Sequence, residues 1–461
     1  MNGDGPSPGG AIGAAPAQAR LISRRSLVGS SILVAENVLR LGLVAAVSLW
    51  IAHELGPAQF GMLNHASAVV AMFWMVALLG LDTPLTGRLT TSTQPGLELG
   101  SAIALRVIAG LAGGVAACAV VLLFRHDQPL SVLLTCIVAL SVPLSAPFVI
   151  DAWFKARNQA LAPALARLAG TLLACGAKAA CLLLGLGVVA LAWTVALETL
   201  LMSVALAVAF ALATRGDVRQ RLAVQRRRMR ELLDLAWPFL VTTFAVSAYS
   251  KVDVVLLGML STDEQTGLYS LGQKLCEVLY LLPMIVVDVL FPQLVRQNAA
   301  GASAGAPEPQ LFFDVAVAVA TVATVLALLV VGPVLPLLFG DPYRPTVDLF
   351  YVQAWACIAV ALAHARYKWL AATGLQRLAP RVTLLGLLFA VAFNLVLIPH
   401  FGAMGAAVAT LAAFFGSGYL LSFAFPELRP AARMQTRALW PWGRLWGEWR
   451  QWRLAVAAQG R

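Results

Sequence analysis

Five basic side chains lie inside or at the edge of long apolar stretches: Arg40, Arg106, Lys178, Lys251 and Lys274. A charge at mid-membrane depth costs roughly 2.5 to 3.5 kcal/mol, so such a group faces a polar interior or a partner. Lys178 stands near the centre of its stretch, in C-G-A-K-A-A-C. Arg40 follows Glu36 by four residues and Lys274 precedes Glu277 by three, spacings that bring side chains together on one helix face. Lys251 and Asp253 are two apart, point about 200° away from each other on a helix and cannot share a task. Two readings stand. Either ion pairs within the apolar stretches lock helices together, or a cationic cavity opens between helices with acids placed to balance or release it. In the second, Lys178 and Lys251 form an anion site, joined by Arg40 and Lys274 where these are not tied to their neighbouring acids. The arginine fork and the lysine point charge both suit phosphate oxygens. Arg106 is expected to snorkel toward its span edge. Asp253 and Glu277 are candidate coupling gates, because desolvation favours the protonated acid and a nearby lysine favours the carboxylate. Asp288 is the next candidate.

The stretches that must position these residues number twelve: 30–52, 62–85, 101–124, 130–150, 164–186, 188–213, 235–259, 268–292, 313–339, 348–370, 382–398 and 403–425. At roughly 20 residues, each is long enough to cross a bilayer as a helix. A chain that is 60% hydrophobic and 12% charged, with mean hydropathy +0.81, is no soluble domain. Of 33 Lys and Arg, 26 fall in the N-terminal tail and every second loop, while the intervening loops hold two, Arg125 and Arg344. Cationic loops stay cytoplasmic, so both termini and the loop from Arg215 to Arg230 are expected on the cytoplasmic side of the membrane. The same asymmetry accounts for the net charge of +11 without nucleic acid.

The six cysteines all fall in apolar stretches, with no C-x-x-C and no His cluster, and read as small core residues with no metal site. Residues 1–29 form a Gly-, Ala- and Pro-rich tail without a signal-peptide core, expected to be disordered and cytoplasmic. Residues 426–461 interleave Trp440, Trp442, Trp446, Trp449 and Trp452 with arginines, which suits a helix lying against anionic membrane lipids or a basic tail that enforces topology. The chain also repeats itself. W-F-K-A-R-N-Q-A-L-A-P from Trp153 and W-L-A-A-T-G-L-Q-R-L-A-P from Trp369 each follow an even-numbered span and precede an arginine and a further apolar span. Both halves therefore enter the membrane in one orientation, as parallel repeats: 30–213 and 235–425, joined by the basic linker 214–234. The expected fold is all-α, about twelve transmembrane helices in two six-helix lobes around a central cavity. Gly110, Gly113, Gly114, Gly185, Gly187, Gly402 and Gly405 are expected to let helices pack closely, and Pro143, Pro147, Pro238 and Pro283 to bend them.

The stretch Y-S-K-V-D-V-V-L-L-G from Tyr249, followed by G-L-Y-S-L-G-Q-K-L-C-E-V and Y-L-L-P-M-I-V-V-D-V-L-F-P-Q-L, resembles the bacterial O-antigen and exopolysaccharide flippases of the Wzx, or polysaccharide transporter, family. Lys251, Asp253, Gly258, Gly267, Tyr269, Glu277, Pro283, Met284, Phe291 and Pro292 carry the match, with Asn394 to Thr410. L-G-P-A-Q-F-G from Leu55 is similar to the family's first outer turn, while Asp288 stands where the family usually has a small polar or apolar residue. The resemblance implies the superfamily that also holds the MATE multidrug exporters. It further implies a transporter of undecaprenyl-diphosphate-linked oligosaccharide from cytoplasmic to periplasmic leaflet, working beside a polysaccharide polymerase and a chain-length regulator. A multidrug or organic-cation antiporter of the same fold is disfavoured by the excess of basic over acidic residues in the expected lumen. A membrane-embedded glycan polymerase or ligase would need a site for sugar chemistry, but the outer loops are short and neither D-x-D nor a phosphate-binding Gly loop is present. No cofactor is expected.

Overall fold

The computed structural model describes residues 24–157, 159, 161–215, 221–299, 309–447 and 450, the side chains of 24–38, 83, 238, 241, 242, 293 and 296–299 excepted. The expected disordered tail before residue 24, Trp449 and Trp452 lie outside the described residues, and the Glu36 side chain with them. Among the described residues nearly all are helical. In order come α1 (Arg24–Leu78), α2 (Asp82–Thr91), α3 (Pro95–Phe124), α4 (Pro129–Ala139), α5 (Ser141–Leu144), α6 (Ile150–Ala156), α7 (Leu161–Leu183) and α8 (Gly187–Ala213). The second half holds α9 (Arg226–Leu260), α10 (Asp263–Ala299), α11 (Pro309–Phe339), α12 (Pro345–Gln353), α13 (Ala356–Ala372), α14 (Ala379–Phe415), α15 (Leu421–Ala424) and α16 (Arg429–Ala438). In hydrocarbon every backbone N–H needs a partner, and a long Ala-, Leu- and Val-rich run supplies them only as a helix.

Among the described residues nine helices are long and apolar enough to span a membrane, ten if the pair Asp341–Gln353 and Ala356–Ala372, bent by 42°, counts as one span. The expected count was twelve. The difference lies in α1 and α14, each continuous by hydrogen bonding yet broken by a glycine, Gly56 (φ 71°, ψ 171°) and Gly402 (φ 55°, ψ −130°), where the sequence puts a loop. A residue with a side chain rarely adopts such a φ, so these two glycines set where the chain reverses. The fourth stretch fragments at Pro143 and Pro147 into α4, α5, a 3₁₀ turn and α6, as its prolines predict. Gly185 and Gly187 depart from expectation: nothing lies within 4 Å of where their side chains would begin, and they turn α7 into α8 instead of packing helices. Gly110 does pack, against Pro143.

The core explains how the halves meet. One buried apolar cluster runs from Ala52, Phe60, Val121 and Leu191 of the first half straight into Leu257, Tyr269, Tyr343 and Ile398 of the second. These residues lie toward the face that carries Arg125 and Asp263. Toward the opposite, basic face the core divides. Leu85, Trp153, Phe154 and Phe210 form one cluster with the start of α9, and Phe313, Leu362, Trp369 and Leu428 form another. The halves thus share one core cluster at one face, the sealed one, while at the other each has its own, the start of α9 packing into that of the first half. On the basic face α16 buries Ala431, Ala432 and Ala438, and Asp314 of α11 receives a forked pair from Arg444 at 2.7 and 2.9 Å. Beyond it Trp440 and Trp446 are exposed.

Candidate functional site

Between α1 of the first half and α9 and α10 of the second lies a cavity of about 200 Å³. Its walls are Asn64, Ser67, Lys251, Gln273, Lys274 and Glu277, with Ala68, Ala71, Val254 and Ser270 completing them. Successive turns of α10 bring Ser270, Gln273, Lys274 and Glu277 to one face, the i, i+3, i+4, i+7 spacing of a helical stripe. Here the expected pairing is corrected. Glu277 Oε1 accepts from Lys251 Nζ at 3.0 Å, across from α9, and not from Lys274 three residues away. Among the described residues Lys274 makes no side-chain hydrogen bond or ion pair, although Glu277, Lys251 and Lys178 are its charged neighbours. The i, i+3 spacing permits contact but does not compel it, and a partner on a facing helix prevails.

Lys178 has a partner that sequence reasoning overlooked. Its Nζ lies 2.5 Å from Glu198 Oε2, joining α7 to α8, with the two side chains 11% and 21% exposed. The signal was an acid inside the sixth apolar stretch. Asp253 turns away from Lys251, as their spacing demands, into the interior of the second half. There its carboxylate accepts from Tyr269 Oη at 2.5 Å, Gln273 Nε2 at 3.1 Å and Thr410 Oγ1 at 3.3 Å. Asp288 meets Lys368 Nζ at 2.8 Å and His364 Nε2 at 3.0 Å, both on α13. Arg106 does not snorkel. It is 2% exposed and bonds Asp82 at 2.9 Å, because the short helix α2 folds back over its end of α3. The Glu36 to Arg40 pair lies partly outside the described side chains. The site thus brings together Lys251, Lys274 and Glu277 and leaves Asp253 and Asp288 in separate networks.

Two further clusters bind the halves. At the sealed face Arg125, 3% exposed, bonds Asp263 Oδ1 at 2.5 Å, Ser131 Oγ at 3.1 Å and His65 Nδ1 at 3.3 Å. Backbone meets backbone beside it: a side chain begun at Gly267 would stand 1.8 Å from the Pro57 carbonyl oxygen, and one at Gly61 would stand 1.9 Å from that of Asp263. At the basic face Glu231 of α9 accepts from Arg88 of α2 at 3.0 Å, from Arg227 at 3.0 Å and from Arg228 at 2.9 Å. Those three donors hold the Glu231 carboxyl down at about 2. Arg366, one of the 26 basic residues that the sequence reading assigns to the cytoplasmic loops, is instead buried in α13.

A protein-family model described as "Polysaccharide biosynthesis protein" matches residues 51–348. No curated protein matches the sequence significantly. Among solved structures, lipid II flippase MurJ in an inward closed conformation is similar with a TM-score of 0.71 at 12% identity, over 88% of this chain and 90% of that one. An inward-facing multidrug resistance MATE family transporter of the MOP superfamily gives 0.62 at 14%, over 86% and 96%. A eukaryotic MATE transporter gives 0.57 at 12%, over 90% and 99%. At these identities the likeness is one of fold: an all-helical, multi-pass membrane protein built as flippases and multidrug transporters are. The family match covers well over half of the sequence, and the chain belongs to the polysaccharide biosynthesis protein family.

Proposed function

We propose that this chain moves undecaprenyl-diphosphate-linked oligosaccharide from the cytoplasmic to the periplasmic leaflet, by alternating access to the cavity between two six-helix lobes. Both termini and the loop from Arg215 to Arg230 are cytoplasmic in this reading, and the Arg125 face is periplasmic. A polysaccharide polymerase and a chain-length regulator would receive the glycan there. The observation that carries the proposal is Lys274, a half-buried ammonium that makes no hydrogen bond or ion pair among the described residues while its neighbouring acid Glu277 is taken by Lys251, in a cavity where the two halves face each other. An unpaired cation in a low-dielectric cleft seeks an anion, and a diphosphate supplies one. An organic cation would be repelled by it. The cavity of about 200 Å³ is too small for a glycan and corresponds to roughly six or seven water volumes. Cargo therefore enters as the cytoplasmic ends part, which requires the Glu231 cluster between α2 and α9 to open, and the diphosphate engages Lys274, with Lys251, Lys178 and Arg40 as further ligands.

Net movement needs a drive, and Asp253, Glu277 and Asp288 are the acids through which an ion would act. The test is Lys274→Gln reconstituted in vesicles with lipid-linked oligosaccharide. Translocation should be lost, and Lys274→Arg should retain it. Full translocation by Lys274→Gln would overturn the assignment.

A further inference from the structure

Arg366 is 7% exposed, and among the described residues no carboxylate lies within ion-pair reach of it. All its hydrogen bonds come from one nitrogen: Nη1 donates to the Ser417 carbonyl at 2.8 Å, the Gly418 carbonyl at 3.2 Å and Ser422 Oγ at 2.9 Å. Those carbonyls lie in a π-helical turn, Gly416–Leu420, whose wider winding leaves acceptors without their usual helical donors. The remaining guanidinium N–H groups make no hydrogen bond and are not among the fully enclosed atoms. Arg366 lines a second cavity of about 180 Å³, together with the polar side chains Tyr249, Thr383 and Ser417 and apolar ones that include Val246, Leu370, Ala379 and Val382. Tyr249 and Ser417 bond each other at 2.7 Å. Arg366 stands six residues from the end of α13, about 9 Å from the basic face at 1.5 Å per residue.

This is a site distinct from the lumen. His364 and Lys368 turn one face of α13 toward Asp288 of α10. Arg366, two residues from each, points about 200° away from both. We propose that Arg366 and its cavity bind the phosphoryl headgroup of a membrane amphiphile, with the lipid chain lying along the Val246, Leu370 and Val382 wall. The charge argument selects an anion: a buried guanidinium with free planar N–H donors binds a phosphate in bidentate fashion. The wall selects its source, since a free phosphate gains nothing from apolar side chains while a lipid tail does. The site is also braced from the basic face. Gln435 of α16 donates to the same Gly418 carbonyl at 2.9 Å, so the docked tail helix helps to fix the π turn that holds Arg366.

The experiment is binding to the purified full chain in phosphatidylcholine nanodiscs, read by native mass spectrometry and by thermal unfolding. Phosphatidic acid should bind and raise the midpoint. Ala379→Leu fills the cavity without touching the guanidinium, and Arg366→Gln keeps an N–H donor for the π-turn carbonyls without the charge. Each should weaken phosphatidic acid at least tenfold while the protein still folds. Wild-type affinity in Ala379→Leu, or no preference for phosphatidic acid over phosphatidylcholine, overturns the proposal. Inorganic phosphate binding as tightly as phosphatidic acid overturns its membrane source. Polyprenyl phosphate, run in parallel, tells a carrier lipid from a phospholipid, and preference for either supports the phosphoryl site.

Discussion

Gly267→Ala tests whether the Arg125 face is a gate held shut by backbone contact. In the closed arrangement the added methyl would stand 1.8 Å from the Pro57 carbonyl oxygen, 2.7 Å from its carbon and 3.1 Å from the Gly61 nitrogen. Ordinary contact begins at 3.4 Å, so the start of α10 and the stretch after Gly56 must part by about 1.6 Å, the difference between 3.4 and 1.8. The obstacle is backbone on both sides and cannot rotate away. Overpacking of this kind costs about 1 to 3 kcal/mol where the structure is fixed. Here an alternative exists, because opening the face removes the clash, so the same free energy shifts the closed-to-open ratio by roughly 5- to 150-fold. The assay is labelling of Ser67→Cys, on the cavity wall, by a membrane-impermeant maleimide from outside, in a background free of the six native cysteines. Gly267→Ala should label at least fivefold faster than its parent. Gly176→Ala, with no atom within 4 Å of the new methyl, is the control and should not change the rate. Equal labelling in all three would refute the reasoning, since the contact would then not govern closure.

The Lys178 to Glu198 pair sets the two sequence readings against each other. Either Lys178→Met or Glu198→Leu alone leaves an unpaired charge and should destabilise by about 3 kcal/mol, the low end for a partly exposed pair, while the double variant recovers most of it in detergent thermal unfolding. A double variant that is stable yet does not translocate makes Lys178 a ligand, and one that translocates normally leaves it a helix lock. The Glu231 cluster carries a pH expectation. Its folded carboxyl at about 2 lies below the unfolded value of about 4.3, so its stabilising contribution is complete above about pH 5 and is lost as pH falls through 4 toward 2. Spin labels at Thr91 and Arg230 should hold one distance from pH 8 to pH 5, and separation already at pH 6 would contradict this.

Class and rough architecture were legible because hydrocarbon imposes a single backbone solution, so apolar length alone reads as helix. Trp153 and Trp369, which open the two similar sequence motifs, are both buried, the first in a core cluster with the start of α9 and the second in the cluster that holds Phe313 and Leu362. What the sequence withheld was partnership between helices. The i, i+3 rule pointed Lys274 at Glu277, yet which of two nearby lysines an acid takes depends on the distance between α9 and α10, which no local spacing encodes. Arg125 read as an outer-loop cation and Arg366 as an inner one. Both are buried, because α3 and α13 end their apolar runs before the packed interior ends. Glu198 was findable, since an acid inside an apolar stretch always needs an explanation. The π turn at Gly416 was not, because its two glycines weaken an ordinary helix without specifying the wider winding that replaces it.

The pairings change how a cationic lumen would work. Lys251 is neutralised by Glu277 and Lys178 by Glu198, so around the cavity only Lys274 contributes uncompensated charge among these five groups. One charge is a weak match for a diphosphate, and this resting economy has a physical reason. Three bare ammoniums in a closed, low-dielectric cleft would repel one another and destabilise the sealed arrangement. On the proposed function, a diphosphate arriving at Lys274 would compete with Glu277 for Lys251, whose pair is already partly exposed, and each lysine it won would leave an acid to be protonated or moved. Binding is then an exchange of counter-ions and not an addition of contacts. The acid that loses its partner lies on α10, the helix that also carries Asp263 and Gly267 of the sealed face. A charge displaced at Glu277 therefore acts on the same rigid element that opens or closes the opposite end, about three helical turns away.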